Sequence, residues 1–428
     1  MTTTNTTDAT HGCDIADWIE SIIRAGEQRS PAFSRSRLPT PPAVHYRVDD
    51  TDGSPARKRR RIMEEYDLDQ TPQPSKRARD TDGMPLFPLS PTKSGAAASE
   101  TSEVESHRSG HLSPVKQLQL LEDEDQPVVF CNFDDDQGGE ETADVTAMRS
   151  AVQQYADGVG ILGYDDVKAV TSGLAQVDRM RFLYPWANNR EQRCALGSMP
   201  PMGQVQDIVE TAQKYDRGAG VSEDEWNAEV QNPLLKLARS TSKHQRTLAI
   251  HNVKTAKIEP AWLARNSLPG RVVDYVVTLN CDTATEQVWR NLRPLQGASI
   301  KSWNHTCRER HSPIAINIET KGPMKSWTDG KPQIAIWTDA WLKRLALICG
   351  DNNNLGQWPA IPLLIAQGHD WHLLIVSKND NNLTIREQIA FGSTRSCFDA
   401  MKVIVVLHWL FDWAETVWRP WLLSLSSG

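Results

Sequence analysis

Asp274, Glu319 and Lys321 are the residues of this 428-residue chain whose types and spacing point to chemistry. Glu319 and Lys321 lie two apart in the β-branched run Ile314 to Lys321, so as a strand they project from one face, about 7 Å apart. Asp274 lies in an earlier run, Arg271 to Leu279, on the face it shares with Val272, Val276 and Thr278. Two carboxylates on neighbouring strands can hold one or two hard divalent cations, normally Mg2+ with Mn2+ as its substitute. Such a cation polarises a phosphodiester and acidifies a bound water. A lysine beside it can orient the attacking hydroxide or neutralise charge developing on the phosphate. Glu223, in the first turn of an earlier helix, can add a further ligand or polarise a second water. The same spacing also fits a solvated sheet face, with Asn317 beside Glu319, and Glu-x-Lys is short enough to recur by chance.

The elements that must carry these side chains follow from the pattern. Ser222 with Glu225 three residues on predicts a capping box, and Trp226, Val230, Leu234 and Leu237 form the stripe of the helix behind it. Pro233 predicts a kink or early break in that helix. Runs 247–258, 271–279 and 314–321 read as three successive strands. After an Asp329-Gly330 turn, Pro332 opens a helix with Ile334, Trp337, Trp341, Leu345 and Ile348 at helical spacing. A hairpin is expected over 361–366 and 372–377, and a Trp-rich helical region over 398–423. The expectation is an α/β (α+β) chain with a central mixed sheet flanked by helices, in the order α-β-β-β-α-β. Upstream, Val145 to Val159 and Val205 to Tyr215 suggest two amphipathic helices, while 158–203 is rich in breakers.

Residues 1–125 are rich in Ser, Thr, Pro, Asp and Arg and have too few apolar periods to offset chain entropy, which predicts a disordered tail. Within it, Ile15, Trp18, Ile19, Ile22 and Ile23 give residues 13–24 an amphipathic stripe, suited either to docking on the chain's own folded part or to a protein partner. Two basic clusters follow: Arg57, Lys58, Arg59, Arg60 and Arg61, then Lys76, Arg77 and Arg79. Their spacing suits a bipartite nuclear localisation signal read by an import receptor. Ser90-Pro91 and Ser113-Pro114 have the form of phosphoacceptor sites. The division expected is tail 1–125, helical extension 126–220, and a domain over 221–428.

The formal charge is −7; with 16 of the 47 Lys/Arg and 21 of the 54 Asp/Glu before residue 126, the remainder is nearly neutral. That excludes a generic polycation, so contact with nucleic acid must come from a local patch. Seven cysteines without a C-x-x-C pair read as thiols of a reducing compartment. His305, Cys307 and His311 are the nearest to a zinc pattern but lack a fourth ligand at finger-like spacing. No apolar run approaches the roughly 20 residues of a membrane span. The amino terminus has no secretion signal, so an intracellular, chiefly nuclear protein is expected. His369 and His372 fit hydrogen-bonded positions around a Gly-His turn, and the 15 Trp fit core positions better than stacking platforms.

As a set, these residues resemble the fungal proteins that carry a PD-(D/E)XK nuclease-like domain, of the restriction-endonuclease-like superfamily. The resemblance runs through Ser113-Pro-Val-Lys-Gln-Leu118, Glu223-Asp-Glu-Trp-Asn227, Val273-Asp-Tyr275, Asn304-His-Thr306, Pro313 to Lys321, Gly368-His-Asp-Trp371, Trp413-Ala414 and Pro420-Trp421. It implies a restriction-endonuclease-like core and a Mg2+-dependent nuclease acting on DNA. In it Asp274 and Glu319 are the metal-binding acids, Lys321 the catalytic lysine, Glu223 the accessory acid and Gln333 a polar contact to DNA. Val273 stands where the superfamily's name has proline. A catalytically silent module of the same fold, binding nucleic acid or a protein, is the alternative that the residues leave open.

Overall fold

The computed structural model describes residues 113–133, 141–217, 220–264, 272–292, 302–306, 308–349, 357–379 and 382–425. The chain parts at Thr101/Ser102, and every described residue belongs to the second unit. The 13–24 stripe and both basic clusters lie outside the described residues.

Seven strands form one mixed sheet: β1 (Val128–Asn132), β2 (Leu248–Asn252), β3 (Tyr275–Leu279), β4 (Ile314–Lys321), β5 (Ile361–Gln367), β6 (Asp370–Lys378) and β7 (Leu383–Ser393), in the spatial order 1-7-6-5-4-3-2. The pairs β4/β5 and β1/β7 are parallel, and the other neighbours are antiparallel. β4 and β5 therefore need a crossover, which helix Lys331–Cys349 supplies. The sheet with helices on both faces is the α+β core expected of a restriction-endonuclease-like fold.

The helices that matter here are α1 (Pro114–Glu122), α2 (Ala143–Ala156), α3 (Met202–Arg217), α4 (Glu223–Trp226), α5 (Asn232–Thr241), α6 (Thr283–Leu292), α7 (Lys331–Cys349), α8 (Cys397–Trp413) and α9 (Arg419–Ser424). The Ser222 arm of the expected capping box is made, its hydroxyl accepting from Glu225 N at 3.2 Å. Pro233 is absorbed by a π-helical turn, Asn227–Gln231, which lets the proline sit at the start of α5 where its missing N–H costs nothing. Pro420 follows the same device, a π turn over Ala414–Trp418.

Two differences from the sequence reading stand out. The segment 126–220 contributes a strand as well as helices, because β1 pairs with β7 at the sheet edge. Helix α6 is inserted between the second and third expected strands. The first two expected strands are trimmed, since β2 ends at Asn252 and β3 begins only at Tyr275, whereas β4 spans 314–321 as expected.

Every residue of β4 is buried, as a central strand covered on both faces requires. Trp337 of α7 donates its indole N–H to Asn317 at 3.0 Å, so α7 covers the face that carries Asn317, Glu319 and Lys321. On the other face α8 crosses β7 at Gly392, where a Cβ would stand 2.8 Å from Val403. Trp226, Trp303, Trp337, Trp341, Trp371 and Trp418 are fully buried, as core positions demand; Trp186 and Trp262 are exposed. Among the described residues no helix is long and apolar enough to cross a membrane. Cys131, Cys194, Cys281, Cys349 and Cys397 are free thiols.

Candidate active site

β3 and β4 run antiparallel with Tyr275 opposite Ile318, so Asp274, one residue before β3, comes level with Glu319. Asp274 is buried, and its Oδ2 accepts from the Thr320 backbone N–H at 2.9 Å and the Thr320 hydroxyl at 2.7 Å. Its Oδ1 faces Lys254 Nζ at 4.0 Å, and that ammonium also pairs with Asp224. Glu319 is wholly buried; Oε1 accepts from Lys321 Nζ, while Oε2 has no hydrogen-bond partner. Lys321 Nζ donates to the Thr320 carbonyl at 3.0 Å and lies 3.9 Å from Glu223 Oε1. Glu223, only 24 % exposed, accepts from Gly322 N at 3.2 Å and lies 3.7 Å from Lys325.

Local structure explains why these groups meet. Tyr275 donates its hydroxyl to Asn227 O at 3.1 Å, which pins the π turn behind Glu223 to β3. Gln231 of the same turn donates to Gly368 O at 2.7 Å, and Gly368 N donates to Lys321 O at 2.8 Å. Gly368 has φ +52 and a Cβ there would stand 2.9 Å from Pro323, so this turn needs glycine. Before α7, the Ser326–Asp329 capping box closes a short 3-10 turn. It ends at Gly330, where a Cβ would come within 3.1 Å of Glu319 Cγ. Glycine at that position lets the turn close over the carboxylate.

Burial pushes the Glu319 carboxyl up to about 8; Lys321 works against the rise and Asp274 adds to it. Burial also raises Asp274, and the two bonds from Thr320 offset part of the effect. Through Lys321 and Glu223 the cluster meets a cleft of about 510 Å³ that is also lined by Lys325, Asp329 and Gln333 and by Pro114 and Gln117 of α1. Gln333 thus faces the same space as Lys321 and Glu223.

Among the described residues no group of three or more His, Cys, Asp or Glu side chains is gathered to hold a metal ion. The side-chain donors at the site are two carboxylates, one of them with an orphaned buried oxygen. That donor set suits Mg2+, which is bound through one or two carboxylates and completes its shell with water and phosphate oxygens.

Thr320, Lys254 and Lys325 were not among the residues singled out by sequence. Thr320 reads as part of the apolar face of β4, and Lys254 lies in a run of mixed polarity with no motif around it. The histidines have other roles. His305 is wholly buried against Trp337, with ring centroids 4.0 Å apart, and burial with Arg344 nearby lowers it to about 3. Cys307 lies outside the described residues. His369 bonds Thr394 at 2.9 Å and His372 bonds Gln388 at 3.2 Å.

A family model described as PD-(D/E)XK nuclease superfamily matches residues 174–419, a span that contains Glu223, Asp274, Glu319, Lys321 and Gln333. No curated protein matches the chain.

Proposed function

The chain belongs to the PD-(D/E)XK nuclease superfamily, and we propose that it is a metal-dependent nuclease hydrolysing phosphodiester bonds in DNA. Asp274 and Glu319 would hold Mg2+, or Mn2+ in its place. When bound, the ion supplies Lewis acidity toward a phosphoryl oxygen and a water acidic enough to attack near neutral pH. Thr320 takes one oxygen of Asp274 through two hydrogen bonds and so leaves Oδ1 to Lys254 and a bound ion. Lys321, between Glu319 and Glu223, is placed to donate to the attacking oxygen or to a non-bridging phosphate oxygen. Glu223 holds Lys321 from the cleft wall and can accept a proton from water. Gln333 is a polar contact for the nucleic-acid backbone on the same cleft.

The observation that carries this reading is the buried, unpartnered Oε2 of Glu319 beside Asp274 and Lys321, with Lys321 and Glu223 lining an open cleft next to it. Glu387, whose Oε1 takes Lys331 while Oε2 has no partner, is a half-used carboxylate too, so it is the company of Asp274 and Lys321 that gives the Glu319 oxygen its weight. The test is cleavage of plasmid and single-stranded DNA with Mg2+ or Mn2+ by wild type, Asp274→Ala and Lys321→Ala. Activity in the wild type alone is expected. Equal activity in all three would refute the site, and none in any would assign the chain to a silent binding module.

Nuclear residence belongs to the same reading, with Arg57 to Arg61 and Lys76 to Arg79 taken by an import receptor. A fluorescent fusion that still accumulates in the nucleus with both clusters changed to alanine would remove that part.

A further inference from the structure

We infer that Ser113 is a phosphoacceptor for a proline-directed kinase, and that its phosphate closes the cleft to nucleic acid. The inference rests on the nucleic-acid reading of that cleft. Ser113-Pro114-Val115-Lys116 places proline directly after the hydroxyl and a cation three residues on, the pattern that proline-directed Ser/Thr kinases select.

The structure adds two things that the tetrapeptide alone lacks. Ser113 is exposed and extended, at φ −60 and ψ 152, just before α1. The residue after it, Pro114, lines the cleft with Gln117, Glu223, Lys321, Lys325 and Gln333. A group built on Ser113 therefore stands at the rim of the space a phosphodiester must enter. A kinase needs the acceptor segment extended, as Ser113 is. Pro114 has no N–H to give, and the cap from Lys116 N to the Ser113 hydroxyl is long, at 3.4 Å. Gln117 N also donates to Ser113 O at 3.0 Å.

In the transfer, Ser113 Oγ attacks the γ-phosphorus of a nucleoside triphosphate. The Oγ–P bond forms, the bond to the β–γ bridging oxygen breaks, nucleoside diphosphate leaves, and the hydroxyl proton passes to the kinase's base. The product carries a charge of about −1.5 to −2 at neutral pH. At the start of α1 that charge is favoured by the helix dipole, which holds the helix in place at the rim. On the cleft wall it adds to the charge of Glu223 and Asp329 and competes with a polyanion for Lys321 and Lys325 of the same lining.

The experiment treats the full chain with a cyclin-dependent kinase and ATP, maps phosphate by mass spectrometry, and measures binding of labelled DNA oligonucleotides by fluorescence anisotropy against mock-treated protein. Ser113→Asn is the control, because asparagine keeps a cap acceptor but takes no phosphate. Other Ser-Pro sites, such as Ser90, are equally available in both proteins. The expected result is phosphate on Ser113 and a dissociation constant raised roughly tenfold in wild type but not in the control. Ser113 left unmodified, or a dissociation constant that moves equally in both proteins or in neither, would overturn the inference. Mock-treated wild type that binds none of the oligonucleotides would instead overturn the function proposed above, and this inference with it.

Discussion

Arg419, at the start of α9, uses its whole guanidinium. Nε and Nη2 grip both oxygens of Glu415 at 2.6 and 3.0 Å, and Nη1 reaches Asp282 at 3.2 Å and the Thr285 hydroxyl at 3.1 Å. Longer bonds run to the carbonyls of Thr247 and Asn280. This knot ties the approach to β2, the β3–α6 link and the second π turn together, with little donor capacity unspent. The Asp274–Glu319–Lys321 cluster is buried at least as deeply, yet Glu319 keeps an oxygen with no partner and a carboxyl pushed up to about 8 by burial. A fully satisfied buried network adds rigidity, whereas a partly satisfied one is a cost that stability alone does not explain. The difference sets a saturated structural knot against a cluster that fits the function proposed above.

The sharpest way to break that contrast is to remove charge from each region in turn. Glu319→Gln should lower phosphodiester hydrolysis about 1000-fold, the scale of losing one preorganised electrostatic group, while leaving stability at pH 7 intact or higher, because the amide removes the cost of keeping a buried carboxyl protonated. Parallel DNA-cleavage and urea-unfolding series check both halves. Arg419→Ala should do the reverse. It strands Glu415 and Asp282, costs about 3 kcal/mol of stability, and leaves the rate per folded molecule near wild type.

The pH dependence of stability sharpens the contrast, because the two kinds of group act with opposite sign. Burial lowers His305 and His408 to about 3, with Arg344 and Arg193 adding to the effect. Below about 6.5 the unfolded chain takes up protons that the folded chain refuses, so stability falls as pH drops, by about 1 kcal/mol per histidine over the first unit. Glu319 is raised instead, so the folded chain keeps a proton that the unfolded chain has released above about 4.5. Stability then falls as pH rises toward 8. Urea midpoints measured from pH 5 to 9 should decline on both sides. His408→Gln should flatten the acid limb, and Glu319→Gln the limb between 6.5 and 8. The smallest effect is expected from Thr320→Val, which removes one of the two bonds to Asp274 and should cost about 1 kcal/mol in stability and a comparable share of the activation barrier. Thr320→Ser should restore both.

Sequence showed the parts of the fold whose periodicity is strong. The alternation in Ile314 to Lys321 announces β4, and the Ile334–Ile348 spacing announces α7. β1 was hidden because five residues between polar stretches give too little pattern. β7 was hidden because Arg386, Glu387 and Gln388 interrupt its apolar run. Gly158 to Gly203 yields only short helical turns, as its breakers suggest.

At the site, the types and order of Asp274, Glu319, Lys321 and Glu223 were legible. Their convergence depends on long-range contacts that no local pattern encodes: Tyr275 to Asn227 across 48 residues, and Gln231 to Gly368 across 137. Thr320 escaped notice because strand alternation puts it on the face opposite Glu319. It reaches Asp274 all the same, through its backbone N–H and its hydroxyl together.

The central claim is that the unmet acceptor capacity at Glu319 exists for a divalent cation. Urea unfolding of wild type, Asp274→Ala and Glu319→Gln across a Mg2+ series at pH 8 tests it most directly. A ligand that binds only the folded state adds stability that grows with the logarithm of its concentration above the dissociation constant. The account predicts that increment in wild type and its loss in both variants. A wild type indifferent to Mg2+, or the same increment in all three proteins, would contradict it.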